Sequence, residues 1–209
     1  MKSARKTFFK NYTFQIDENV YAPAEDTFLL AENLQVSSGD FVLDMGTGCG
    51  ILAVLAAEKA RHVLAVDINP YAVKCAKKNA EINKVKHKID FLLGDLFKPI
   101  KPGEIFDLII FNAPYLPVEP GEEKIWIGKA WAGGKTGREI IDRFISDAPK
   151  FLRRNGRIML VQSSLSDIDK SLDAFNKLGL DAKIIAEIKV PFERIVLIDA
   201  HLRKSNLVA

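Results

Sequence analysis

The sequence predicts an α/β fold in which a seven-stranded, mostly parallel sheet carries helices on both faces. Three observations predict it. Apolar runs alternate with helical patterns from about residue 24 to the end. Several of those runs are continuously apolar, as strands covered on both faces are. A glycine-rich turn, Gly46-Thr47-Gly48-Cys49-Gly50, joins the first run directly to a helix.

Pro23 opens a helix over residues 24–34, where its missing N–H is harmless in a first turn. Residues 40–44 form the first strand, and Gly50 leads into a helix over 51–59. The second strand covers 62–67; Asn69 then caps a helix over 71–83 that Pro70 begins. Strands at 89–93 and 106–111 follow. Residues 116–136, with Pro117, Pro120, Gly121, Gly128, Gly133 and Gly134, break the alternation as a long loop of the kind that binds or covers a ligand. Helices over 137–152 and 167–178, with strands at 157–161, 182–188 and 194–199, complete the pattern.

With 209 residues, 48% of them hydrophobic and 27% charged, the chain supports one domain over 1–209. Residues 1–39 are expected to be an arm and a helix packed on that domain, too short for a separate recognition domain. No apolar stretch approaches the roughly 18 residues that cross a bilayer, which argues against a membrane role. Thr7-Phe8-Phe9 is far shorter than a signal-peptide core of about 7–15 residues, so a cytoplasmic location is expected. Two cysteines, Cys49 and Cys75, are too few for a disulfide framework or a zinc site and read as small reduced apolar residues. A net charge of +3, spread along the chain, permits a nucleic-acid partner without pointing to one.

The chemistry concentrates at strand ends. Gly46, Gly48 and Gly50 let the backbone turn tightly and approach a ligand, and about 23 residues beyond Asp44 the next strand ends in Asp67, followed by Ile68. A carboxylate there can take both hydroxyls of a ribose. A dinucleotide site would read Gly-x-Gly-x-x-Gly, whereas here Asp44 precedes the first glycine. That carboxylate would repel a pyrophosphate but can anchor a cationic amino-acid head group, directly or through water.

The fourth strand ends in Asn112-Ala113-Pro114-Tyr115. Asn112 supplies a carbonyl acceptor, the Ala113 carbonyl a second, and Tyr115 a face on which a planar group can stack. The same residues also suit a plain strand-ending turn with a packed Tyr. A planar nitrogen fits the first alternative, because its delocalised lone pair demands positioning rather than a strong base. His62, His87 and His201 lie elsewhere in the sequence.

The turn and its acidic partners resemble the S-adenosylmethionine site of class I methyltransferases, which implies the class I (Rossmann-like) S-adenosylmethionine-dependent fold. In such enzymes the residues matching Asp95 and Leu96 meet the adenine: the carboxylate accepts from its amino group and the apolar neighbour packs on the base. The Asn-x-Pro-Tyr corner resembles the Asn-Pro-Pro-Tyr motif of methyltransferases acting on glutamine amides or nucleobase amino groups, with Ala113 in place of the first proline. Ala113 regains an N–H and a freer φ, while Pro114 still drives it towards an extended conformation.

Two further segments, Tyr21-Ala22-Pro23-Ala24-Glu25-Asp26-Thr27-Phe28 and Ala130-Trp131-Ala132-Gly133-Gly134-Lys135-Thr136-Gly137-Arg138-Glu139, resemble the HemK/PrmC-type protein-(glutamine-N5) methyltransferases, in their short archaeal and eukaryotic branch. The resemblance implies methylation of the glutamine amide in the Gly-Gly-Gln motif of a class I peptide-chain release factor. It places Asn112, Ala113, Pro114 and Tyr115 at the reacting group. Pro23, Glu25, Asp26, Thr27, Asp44, Gly46, Thr47, Gly48, Gly50, Asp67, Ile68, Asp95, Leu96 and again Asn112 fall on the cofactor side. A helix start alone, Pro then acidic first turn, also explains residues 23–27. Trp131, Gly133 and Gly134 belong either to a loop that closes on the acceptor or to a surface loop pinned by the Trp. The resemblance further implies a small zinc-binding activator subunit in a heterodimer. The alternative acceptor is the exocyclic amino group of adenine or guanine in DNA or RNA; a lysine amine suits the two acceptors of the corner less well.

Overall fold

In the computed structural model the described residues are 5–103, 105–119, 121 and 124–203; the ends of the expected domain and Pro120 of the expected loop lie outside them. The chain begins with an antiparallel hairpin, β1 (Arg5–Phe9) and β2 (Tyr12–Ile16), turned at Lys10 and Asn11. It gives the N-terminal arm a regular structure that sequence reading left out. The signal is a period-2 alternation: Phe14 and Ile16 are buried while their neighbours are more open.

α1 (Glu25–Asn33) leads to β3 (Phe41–Met45), α2 (Ile51–Ala57), β4 (His62–Asp67), α3 (Pro70–Ile82), β5 (Ile89–Leu93) and β6 (Phe106–Asn112). After the long loop come α4 (Glu139–Asp147), β7 (Leu152–Ser163), α5 (Ile168–Lys177), β8 (Leu180–Val190) and β9 (Glu193–Leu202). The seven strands from β3 onward form one sheet in the order β5-β4-β3-β6-β7-β9-β8. β5, β4, β3, β6 and β7 run parallel, and β9 inserts antiparallel to both β7 and β8. From β3 the chain winds first to one side, through β4 and β5, and then to the other through β6 and β7. That reversal opens a crevice at the carboxyl ends of β3 and β6, where ligands bind in open α/β sheets.

The central strands are apolar on both faces because both are covered: Val42, Leu43, Ile109, Ile110, Ile158 and Leu160 are fully buried. α4 is shorter than the helix expected over 137–152. Pro149 has no N–H to continue the helical ladder, so with Ala148 still in α geometry (φ −51°, ψ −40°) the chain tightens into a 3-10 turn at Ala148–Phe151 and passes into a β7 that starts at Leu152 rather than 157. Arg138 is buried at the start of α4 and ties it to α5: its guanidinium donates to Asp142, to the Ser166 and Asp167 carbonyls and to the Ser171 hydroxyl. No helix among the described residues is long and apolar enough to cross a membrane.

Candidate active site

The turn after β3 is built from close approaches. At Gly46 (φ +64°) an added Cβ would lie 2.9 Å from the Phe111 ring, and at Gly50 (φ +85°) one would lie 2.8 Å from Ala76 of α3. The Thr47 N–H donates to the Val66 carbonyl (3.0 Å), which ties the turn to β4. Asp44, wholly buried beneath the turn, accepts from the Thr47 hydroxyl through Oδ2 (2.6 Å); its Oδ1 is buried with no partner among the described residues. Burial pushes its carboxyl up to about 7, with the Thr47 hydrogen bond opposing and the charge of Asp67 adding to the shift. Asp67 accepts the Gly48 N–H through Oδ2 and the Asn69 N–H through Oδ1, both at 2.8 Å. Burial raises it too, against those backbone donors.

A cavity of about 530 Å³ opens where these strand ends meet. Among the residues singled out from sequence, it is lined by Pro23 and Thr27 before β3, by Gly46, Thr47 and Gly48 of the turn, and by Asp67 and Ile68 after β4. Asp95 and Leu96 after β5, and Asn112 and Pro114 after β6, close the lining on the far side. Asp44, Gly50 and Asp26 stand behind this wall, as do Ala113 and Tyr115, while Glu25 points to solvent. Asp95 is held by Arg143 (2.6 Å) and Lys98 (2.8 Å) on Oδ2; burial works against its charge, but these two cations outweigh it and keep the carboxyl below its ordinary range.

Sequence reading missed several wall residues. Tyr21 lies inside a quoted segment without being singled out, Cys49 was read only as a small apolar residue, and Trp126, Lys129 and Arg143 carry no local signal at all. Trp126 and Lys129 reach the cavity because the loop 116–136 folds back on itself, while Arg143 reaches it from α4: in the loop the Leu116 N–H donates to the Trp131 carbonyl (2.9 Å), Gly133 to Leu116 (2.9 Å) and Val118 to Gly134 (3.1 Å). Trp126 then lies edge-on to Tyr71 at 6.5 Å, with the Lys129 ammonium 5.8 Å from its centroid.

At the β6 end the side chains interlock. Asn112 donates through Nδ2 to Asp26 Oδ2 and to Thr27 Oγ1, both at 3.1 Å. The Asn112 carbonyl oxygen, Oδ1, is buried without a partner among the described residues. Tyr115 is 8% exposed, and its hydroxyl donates to Asp26 Oδ2 (3.3 Å). Burial and then the charge of Asp26 raise that phenol, so it stays neutral.

Residues 11–127 match the methyltransferase small domain family. The chain belongs to that family. This methyltransferase is 43% identical over 189 residues to a Methanocaldococcus jannaschii protein named as an N5-glutamine methyltransferase, a match covering 89% of this chain and 93% of the relative. It is 36% identical over 174 residues to human methyltransferase HEMK2, covering 78% and 80% of the two chains. Among solved structures, a chain of the E. cuniculi Mtq2–Trm112 complex superposes with a TM-score of 0.66 at 24% identity, over 88% of this chain and 99% of that one.

S-adenosylmethionine is the cofactor of this methyltransferase, and the residues present fit it. The unpartnered Asp44 Oδ1 lies under the turn with a carboxyl poised to ionise, Asp67 lies at the end of β4, and the cavity is large enough for a nucleoside and its amino-acid tail.

Proposed function

We propose that this methyltransferase methylates the side-chain amide nitrogen of the glutamine in the Gly-Gly-Gln motif of a class I peptide-chain release factor. The observation that carries the reading is the Asn112 amide, whose nitrogen end is anchored to Asp26 and Thr27 and whose carbonyl oxygen is left without a partner beside the cavity. An amide nitrogen is a weak nucleophile because its lone pair is delocalised into the carbonyl. Asn112 Oδ1 and the Ala113 carbonyl accept its two N–H bonds, fix its plane and polarise it, and one of those protons leaves to water as the new nitrogen–carbon bond forms. Pro114, in the cavity wall, restrains the Ala113 backbone, and Tyr115 stands behind the wall with its hydroxyl on Asp26.

Bound S-adenosylmethionine supplies the methyl group as an electrophile on a cationic sulfur. Asp44 holds its ammonium group, directly or through water, with Gly46, Thr47, Gly48 and Gly50 shaping the turn around it. Asp67 takes the ribose hydroxyls; Ile68 and Leu96 pack on the adenine, and Asp95 accepts from its amino group through the oxygen that Lys98 and Arg143 leave free. Pro23 and Thr27 complete the cofactor side from the cavity wall, and Glu25, which points to solvent, is left out of it. The relatives support the acceptor: the Methanocaldococcus jannaschii protein is named for N5-glutamine methylation, and an Aquifex aeolicus protein is named a release factor glutamine methyltransferase. The Mtq2–Trm112 complex, described as responsible for methylation of a translation termination factor, supports a small partner subunit, here expected to bind zinc. The described residues form one methyltransferase domain, and a cytoplasmic location fits a release-factor substrate.

Incubating the chain with S-adenosylmethionine and the release factor, followed by intact-mass and fragment analysis, is expected to place one added methyl on that glutamine. An unmodified glutamine, or a methyl found instead on RNA or DNA, would sink the assignment.

A further inference from the structure

Asp26 is 5% exposed and stands outside the cavity wall. It nevertheless accepts four hydrogen bonds. Oδ1 takes the Thr27 N–H (2.6 Å) and the Thr27 hydroxyl (3.1 Å); Oδ2 takes Asn112 Nδ2 (3.1 Å) and the Tyr115 hydroxyl (3.3 Å). Among the described residues no Lys or Arg makes an ion pair with it. A buried carboxylate without a cation is tolerable only when donors surround it, so its value here lies in accepting at every position.

An asparagine side chain has nearly the same shape either way round, and only its partners decide which end is nitrogen. Thr27 cannot make that choice by itself, because a hydroxyl donates or accepts equally well. With its proton committed to Asp26 Oδ1, Thr27 Oγ1 can only accept, and Asp26 Oδ2 can only accept. Turning Asn112 over would set its oxygen against two acceptors and aim an NH2 at the cavity, where it would oppose the N–H bonds of an incoming amide.

We infer that Asp26 is a positioning residue of the acceptor corner: through Asn112, Thr27 and Tyr115 it fixes the Asn112 amide with its carbonyl oxygen facing the acceptor. The inference rests on the reading of this corner as an amide N-methylation site, and it moves Asp26 from the cofactor to the acceptor.

Asp26→Asn keeps the shape but turns one acceptor end into a donor, so Asn112 is free to turn over. Its kcat on the release factor is expected to fall by about 100-fold, as for loss of one aligned polar group at a reacting centre, with the cofactor Kd, the KM for release factor and the melting temperature little changed. Combining Asp26→Asn with Asn112→Asp restores one donor facing one carboxylate and leaves a carboxylate oxygen towards the cavity, so the double variant should be at least about tenfold faster than Asp26→Asn alone. Wild-type kcat in Asp26→Asn, or a double variant no better than the single, overturns the inference. A loss of cofactor binding equal to the loss of kcat also overturns it, since Asp26 would then serve the cofactor.

A measurement on the unsubstituted protein needs neither acceptor nor variant. The Asn112 Nδ2 protons, followed by 15N NMR hydrogen exchange, should be protected as hydrogen-bonded donors. Fast exchange of those protons overturns the inference even if a variant fails to fold. If the unsubstituted chain leaves the glutamine unmethylated, the functional reading falls while the exchange result still decides the role of Asp26.

Discussion

Asn112 and Asp44 each bury one oxygen with no partner among the described residues, Asn112 in the cavity wall and Asp44 behind it. An unpaired buried acceptor costs on the order of 1–3 kcal/mol, a penalty that binding of the missing donor relieves. Asn112→Ala is therefore expected to leave cofactor affinity within about threefold and lower kcat by about 100-fold or more; isothermal titration alongside single-turnover kinetics separates the two, and unchanged turnover removes Asn112 from the chemistry. For Asp44 the sign follows from burial. Its folded-state carboxyl is raised to about 7, above the unfolded value, so its contribution to stability is fully present below the unfolded pKa and is lost as pH rises through about 7. The cofactor's cationic head group needs the ionised form, so binding should strengthen as pH rises through the same range. Thermal shifts with S-adenosylmethionine should be larger at pH 8 than at pH 6, and Asp44→Asn should flatten that difference; a shift equal at both pH values in the unsubstituted protein contradicts the assignment. These residues were legible because each is a polar type at the end of an apolar run. The role of Asp26 was not, because its partner Asn112 lies 86 residues away in the chain.

At the scale of elements, local chemistry predicted most boundaries and long-range pairing altered the rest. The cap of α3 follows from Asn69-Pro70: the Asn69 side chain accepts from the Tyr71 N–H at 2.9 Å. The docking of the hairpin does not follow from any local pattern. Asn79 and Asn83, one turn apart on α3, pair with the backbone of β2 as another strand would: Asn79 accepts the Gln15 N–H and donates to the Gln15 carbonyl, and Asn83 does the same with Thr13. Asn79 also donates to the Cys49 carbonyl (2.8 Å), so one fully buried side chain joins hairpin, helix and cofactor turn. Asn79→Ala leaves those backbone groups unpaired and is expected to destabilise the protein by about 1–3 kcal/mol for each group that stays buried. Urea unfolding would measure the loss, and an unchanged midpoint would show that the hairpin is held by its apolar contacts alone.

For the whole molecule, the two edges of the sheet differ. β8 presents Asp181, Lys183, Glu187 and Lys189 at four of its five exposed positions, with Ile185 at the fifth, and those charges discourage another strand from pairing. β5 ends in Leu93, which is 57% exposed, and Ile89, Phe91 and Leu92 complete a short, mainly apolar edge. The proposed partner subunit is therefore expected to add at β5. Activity on the release factor should rise at least about tenfold when the chain is copurified with its partner, and Leu93→Asp should abolish copurification. An isolated chain that is monodisperse and as active as any complex would remove the partner.

The sequence by itself determined the alternation of strands and helices, the glycine turn, and the polar types at the ends of β3, β4 and β6, because apolar periodicity and turn chemistry act over a few residues. Only the tertiary structure decided which of these meet. Arg143 reaches Asp95 across 48 residues, Trp126 and Lys129 fold over the cavity, and Asp26 locks Asn112. Such contacts depend on how helices and loops pack on the sheet, and packing directions leave no period in the chain to read.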